Sequence, residues 1–95
     1  MKITVKVFTA LRELVGKGEI TIEANTPNPT VHTILSQLNT QYGKEFTEHV
    51  YDENGDIRGF LQFLINGKSI TTPKGLKTRL KDGDTIAILP PVGGG

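Results

Sequence analysis

One long stretch of this chain carries apolar residues at helical spacing, and it stands among runs that alternate with a period of two. Val31, Ile34, Leu35, Leu38 and Tyr42 recur at intervals of three and four and form a single apolar stripe. Before it, Ile3, Val5 and Val7, then Ile20, Ile22 and Ala24, alternate as half-buried strands do. After it come an apolar strand, Phe60–Ile65, a short return strand, Lys68–Ile70, and a last strand, Thr85–Leu89, with Ile86 and Ile88 on one face. A lone amphipathic helix has no second helix to cover its stripe, so it has to lie against a sheet. The pattern predicts an α+β fold in which a mixed sheet of four to five strands wraps over one main helix.

The punctuation between these runs agrees. Gly16 and Gly18 lie in the connection between the first two strands, which reads as a long hairpin loop. Asn25–Pro29 is a rigid loop ending at Thr30, whose hydroxyl can cap the helix, and Gly43 stands just past the helix end. Residues 44–59 read as polar and turn-rich, with Glu53–Asp56 a tight hairpin turn. Asn66-Gly67 is a type I′ signal between the third strand and its return. Residues 71–81, with Pro73 and Gly75, form a crossing segment, and Asp82–Asp84 turns into the last strand.

Ninety-five residues suffice for one domain, expected over 1–90, with 91–95 a flexible tail. A chain of this size buries about 60–65% of its extended surface, enough for a modest core but not for a deep substrate cleft. Eleven basic and ten acidic residues give a net charge of +1, so no nucleic-acid or membrane partner is indicated. The absence of cysteine excludes disulfides, thiolate metal sites and a cysteine nucleophile. The N-terminal alternation lacks the apolar block of a signal peptide, and no run reaches membrane-spanning length, so a cytoplasmic location is expected.

No constellation of catalytic residues stands out. His32 and His49 lack a partner at ligand spacing. Asp52, Asn54 and Asp56 have the first spacings of a calcium loop, but Ile57 occupies the required glycine position and Phe63 the place of the bidentate glutamate. Gly16-Lys17-Gly18-Glu19 is too short for a phosphate loop. No metal site and no bound cofactor are expected.

What remains is the end of the chain, Leu89-Pro90-Pro91-Val92-Gly93-Gly94-Gly95. The prolines lack an N–H and stop the sheet ladder. The glycines leave a bare backbone that fits where any Cβ would clash. Extended from Pro91, this stalk reaches about 17 Å, enough to thread a carboxylate into another protein's active site. Near its root, strand parity turns Phe8, Leu64 and Leu89 outward on one side of the sheet, with Phe60 on that face if its strand begins there. An apolar patch on a domain this small suggests a protein partner.

The quoted residues resemble the small ubiquitin-like sulfur carriers. The likeness rests on Val5–Phe8 with Leu11–Leu14, Thr30-Val31, Ile65–Lys68, Leu80–Asp84 and Ile88–Val92 before the glycines. Pro-Pro-Val makes it closest to the branch that forms the small subunit of molybdopterin synthase. Gly93, where that branch more often has alanine or serine, and a longer 44–59 insert depart from the pattern.

The resemblance implies a β-grasp (ubiquitin-like) fold with the first and last strands side by side in mid-sheet. It implies that a ubiquitin-activating-type adenylating enzyme uses ATP to adenylate the Gly95 carboxylate, which becomes a thiocarboxylate. The sulfur then passes to a pterin in the large subunit of molybdopterin synthase. Gly93 and Gly94 would thread the tail, while Phe8, Leu64, Leu89, Pro90, Pro91 and Val92 would dock the partner. The small subunit donates sulfur without catalytic residues of its own. The alternatives are a modifier joined through Gly95 to target-protein lysines, and sulfur delivery to thiamine or transfer RNA.

Overall fold

Strand β1 (Lys2–Val7) pairs antiparallel with β2 (Glu19–Glu23), placing Ile3 opposite Ile22 and Val5 opposite Ile20, the register that puts all four on one face. The computed structural model describes residues 1–70 and 74–90. In it β1 also pairs in parallel with β5 (Thr85–Leu89), β5 pairs antiparallel with β3 (Gln62–Ile65), and β3 with the short β4 (Lys68–Ile70). The five-stranded order is β2-β1-β5-β3-β4, so the first and last strands lie side by side and β5 occupies the centre. This is the β-grasp arrangement.

The inward residues of the sheet share one core with the stripe of α2 (Val31–Tyr42). Ile3, Val5, Val7, Phe63, Ile86 and Ile88 are buried with Val31, Ile34, Leu35 and Leu38. Burying each such side chain is worth about 1.5–3 kcal/mol. Among the described residues no polar or charged side chain is buried, so the core carries no desolvation penalty to offset. Thr30 caps α2 as expected: its Oγ1 accepts from Thr33 N–H at 3.2 Å, and Thr33 Oγ1 accepts from Thr30 N–H at 3.1 Å.

Two segments differ from the sequence reading. The connection between β1 and β2 is not an open loop: Thr9–Val15 forms a helix, α1, ended by Gly16 in the left-handed region at φ 91°. Leu11 is buried and Leu14 and Val15 are partly so, at helical spacing. The helix is only seven residues long and no side chain caps it, so neither length nor a cap announces it.

The turn-rich reading of 44–59 also fails in its first half, where Lys44–Val50 forms α3 with Phe46 and Val50 buried one turn apart. Gly43 serves both helices, ending α2 and preceding α3 at φ 79° and ψ −156°. That conformation is open essentially to glycine alone. The second half is the expected turn, closed by a Tyr51–Ile57 bridge. Asp52 Oδ1 accepts from Asn54 N–H at 2.8 Å and Asp56 N–H at 3.1 Å, so the first acid of the calcium-like spacing holds a turn.

Phe60 precedes its strand, which begins at Gln62. Of the crossing segment, Lys74–Lys77 is a single 3₁₀ turn and Arg79 bridges to Thr30.

The two central blocks of the sequence signature lock together. Asn66 (φ 50°) and Gly67 (φ 85°) make the turn between β3 and β4, both with the positive φ of a type I′ turn. The Asn66 Oδ1 accepts from Thr85 N–H at 2.9 Å while its Nδ2–H donates to Asp84 Oδ1 at 3.0 Å. Asp84 Oδ2 accepts from Lys81 N–H at 2.8 Å, and Asp82 Oδ1 accepts from Lys2 N–H at 2.7 Å. These bonds fix the start of β5 to both of its neighbours.

Candidate functional site

Because β1 and β5 are parallel, their C-terminal ends meet at one edge of the sheet, with Val7 level with Ile88. Phe8, one residue further, therefore comes level with Leu89, and Pro90 follows. The expected tail residues Pro91, Val92, Gly93, Gly94 and Gly95 lie outside the described residues, as do 71–73. The site that can be built is the root of the tail.

Parity places Leu64 and Leu89 on the outer face of the sheet, as the sequence suggests. Leu64 lies opposite Ala87 and Ser69, and Leu89 opposite Gln62. Both leucines are half-buried, whereas Phe8 is exposed. The three do not form one patch of equals. Leu64 sits one register step inward on the open face, while Phe8 and Leu89 turn to a groove at the sheet edge.

That groove has a cavity of about 300 Å³. Phe8, Leu11, Leu61, Ile88, Leu89 and Pro90 supply its apolar lining, Phe60 stands on its wall, and Glu48, His49 and Arg58 border it. The far wall thus comes from the end of α3 and the turn after it. Phe60 is 54% exposed, more than any other large apolar side chain among the described residues.

Arg58 is fixed by its own backbone and side chain. Its N–H donates to the Val50 carbonyl at 2.9 Å and its Nε–H to the Glu48 carbonyl at 2.8 Å. Among the described residues its guanidinium has no carboxylate within ion-pairing distance, and Glu48 lies 3.7 Å from Lys44. Tyr51, behind this wall, has its phenol held above the usual value of 10.0 by burial, opposed in part by a hydrogen bond from Asn39.

Sequence parity reaches Phe60 only as a strand residue, and it does not connect Arg58, Leu61, Glu48 or His49 with the tail. The signal that would have found them is Phe46 and Val50, four residues apart, which mark the α3 that carries the wall. A second, shallow depression lies on the uncharged polar face of α2, between His32 and Gln41. Among the described residues no cluster of three or more His, Cys, Asp or Glu side chains is placed to hold a metal ion. No helix there is long and apolar enough to cross a membrane.

Glu48, His49 and Arg58 stand at the rim of the groove, and its floor is apolar. The groove lies at the end of a firmly anchored strand, where Pro90 leads into the C-terminal segment. Comparison with known proteins shows the family. The chain matches the ThiS family over residues 5–95.

It is similar to small archaeal modifier protein 3 of Haloferax volcanii, 30% identical with 100% of both chains covered. It is likewise similar to the sulfur carrier protein CysO of Mycobacterium tuberculosis, 31% identical with both chains covered in full. A solved structure of a putative molybdopterin converting factor, subunit 1, from Pyrococcus furiosus is 29% identical with a TM-score of 0.74, covering 97% of this chain and 99% of that one. With a β-grasp sheet, a groove at the tail's root and a family match across nearly its whole length, the chain belongs to the ThiS family and is a ubiquitin-like protein of the sulfur-carrier and modifier type.

Proposed function

We propose that the protein is a sulfur carrier whose Gly95 carboxylate is adenylated and converted to a thiocarboxylate, and that the sulfur serves molybdopterin synthesis. The observation that carries this reading is the central, doubly paired β5 leading through Pro90 into a terminal glycine run. Such a stalk holds a carboxylate away from the body without supplying any chemistry.

A carboxylate resists substitution because its leaving group is so basic. Reaction with ATP in a partner enzyme gives an acyl adenylate and pyrophosphate. Hydrosulfide then attacks the acyl carbon, AMP departs with the bonding pair, and loss of the S–H proton leaves the thiocarboxylate. The chain itself contributes the acyl group, the narrow glycine segment and the docking surface at Phe8, Leu64, Leu89 and Pro90. The molybdopterin destination draws support from the Pro-Pro-Val sequence and from the likeness to the converting-factor subunit. A cytoplasmic setting, where ATP is at hand, is part of the same reading.

Mass spectrometry of protein recovered from its own cells tests it. The expected species carries sulfur in place of one terminal oxygen, and it restores pterin sulfuration when added to extracts lacking the carrier. Protein that never carries the sulfur, even in cells starved of the acceptor, would overturn the proposal.

The full-length likeness to an archaeal modifier protein favours one further reading, attachment through Gly95 to target lysines. Both outcomes start from the same adenylate. Higher-mass adducts that vanish when Gly94 and Gly95 are deleted would establish attachment.

A further inference from the structure

We infer that Asn54 is a site of spontaneous modification, its side-chain amide lost through a cyclic imide closed by Gly55. Asn66-Gly67, the same dipeptide, is spared by the bonds that hold its side chain. The inference stands apart from the function proposed above.

The chain has five asparagines, at positions 25, 28, 39, 54 and 66. The chemistry requires the backbone nitrogen of the following residue to attack the asparagine Cγ. Asn28 is followed by Pro29, which has no N–H to lose. Asn25 and Asn39 are followed by threonines, whose branched Cβ crowds the attacking nitrogen. Only Asn54 and Asn66 are followed by glycine, which has no Cβ and turns freely into the conformation that ring closure needs.

Sequence treats these two alike, and the fold does not. Asn66 Oδ1 accepts from Thr85 N–H at 2.9 Å, and its Nδ2–H donates to Asp84 Oδ1 at 3.0 Å. Both bonds must break before Cγ can turn to the Gly67 nitrogen, in a two-residue turn held between paired strands. The Asn54 backbone N–H donates to Asp52 Oδ1 at 2.8 Å, but among the described residues the Asn54 side chain makes no hydrogen bond. Residues 53–56 are exposed, and Gly55 N–H donates to the Asp52 carbonyl at 3.0 Å. An exposed turn of this kind opens locally at little cost, and opening frees the attacking nitrogen. Either turn has to rearrange its backbone; the side-chain bonds of Asn66 come on top of that.

Hydroxide takes the Gly55 amide proton, the nitrogen forms a bond to Asn54 Cγ, and the Cγ–Nδ2 bond breaks. Nδ2 leaves with the bonding pair and takes up a proton from water, departing as ammonia and regenerating the hydroxide. Water then opens the imide. Attack at Cγ gives aspartate, and attack at the main-chain carbonyl gives isoaspartate, in which the chain runs through Cβ and Cγ. Either product adds a carboxylate to a turn that already carries Asp52, Glu53 and Asp56. Isoaspartate also inserts one backbone atom inside the Tyr51–Ile57 bridge, beside Arg58, whose N–H donates to the Val50 carbonyl at 2.9 Å. The modification thus reshapes the turn that carries the far wall of the groove.

The experiment holds the purified full-length chain for weeks in mildly alkaline buffer, folded in one sample and unfolded by guanidinium chloride in another. Peptides containing residues 54 and 66 are followed by mass spectrometry, with an isoaspartate-specific methyltransferase as the label. In the folded chain Asn54 should lose its amide about 5–30 times faster than Asn66, the factor that two side-chain bonds of ordinary strength represent. In guanidinium chloride the two rates should converge. Backbone resonances of the aged chain should shift over residues 51–58 and hold steady at Asn66-Gly67.

Equal rates in the folded chain, or a faster loss at Asn66, would overturn the inference. So would a ratio that guanidinium chloride leaves unchanged, since the sequence and not the fold would then set it. Resonance shifts centred on Asn66-Gly67 would have the same consequence.

Discussion

Asn66 is the residue on which the anchoring of β5 can be measured. Replacing it with alanine removes the acceptor for Thr85 N–H and the donor to Asp84. Both bonds are solvent-accessible, so each is worth about 0.5–1 kcal/mol, the low end for net hydrogen-bond contributions. Alanine must also adopt the φ of 50° that asparagine tolerates, at about 1 kcal/mol. The expected loss is therefore about 2–3 kcal/mol, or a fall in Tm of about 8–24 °C for a domain of this size.

Asn66→Gly removes the same bonds without the steric cost, so it should lose only about 1–2 kcal/mol. Asn66→Asp keeps the acceptor but sets a carboxylate against that of Asp84. Its deficit at neutral pH should shrink as added salt screens the two carboxylates from each other. Urea unfolding, with m unchanged across the series, supplies the comparison. Equal losses for the alanine and glycine variants would refute the backbone argument, and a loss under about 0.5 kcal/mol for alanine would refute the anchoring itself.

Three other outcomes are expected. Phe46→Ala should cost about 3–5 kcal/mol by opening a cavity where a fully buried ring meets Tyr42 at a centroid distance of 6.2 Å, measurable by chemical denaturation. Gly43→Asn should destabilise more than Gly16→Asn, because Gly16 (φ 91°, ψ 0°) is left-handed helical and open to asparagine while the Gly43 conformation is not; calorimetry of the pair decides it. Tyr51 titrates higher in the folded chain than its ordinary 10.0, so the unfolded chain releases the proton first. Stability from this group is full below pH 10 and declines as pH rises through the folded value, and Tyr51→Phe should flatten that decline in alkaline melts.

The legible parts of the fold were those written in long periodic runs or in turn residues of fixed conformation. The alternation around Val5 and Ile86, the stripe of α2, its Thr30 cap and the Asn66-Gly67 turn each have one structural solution. α1 and α3 were illegible for a common reason: each is seven residues long and has no side-chain cap at its N-terminus. Helices that short gain little from propensity and exist because tertiary packing takes up Leu11, Phe46 and Val50.

The same omission hid half of the site. Parity along β3 and β5 turned Leu64 and Leu89 outward, but the groove needs a wall from α3, and two apolar residues in a polar stretch did not reveal it. Phe60 illustrates the cost of a boundary: placed inside a strand it joins the open face, whereas two residues outside β3 it overhangs the groove.

The strand bearing the tail is bonded along both edges, to β1 on one side and β3 on the other. Force applied to the C-terminus therefore loads two ladders in shear at once, instead of peeling one bond after another from a free edge. A partner that pulls on the chain beyond Leu89 meets a strand that must break both ladders together before it yields.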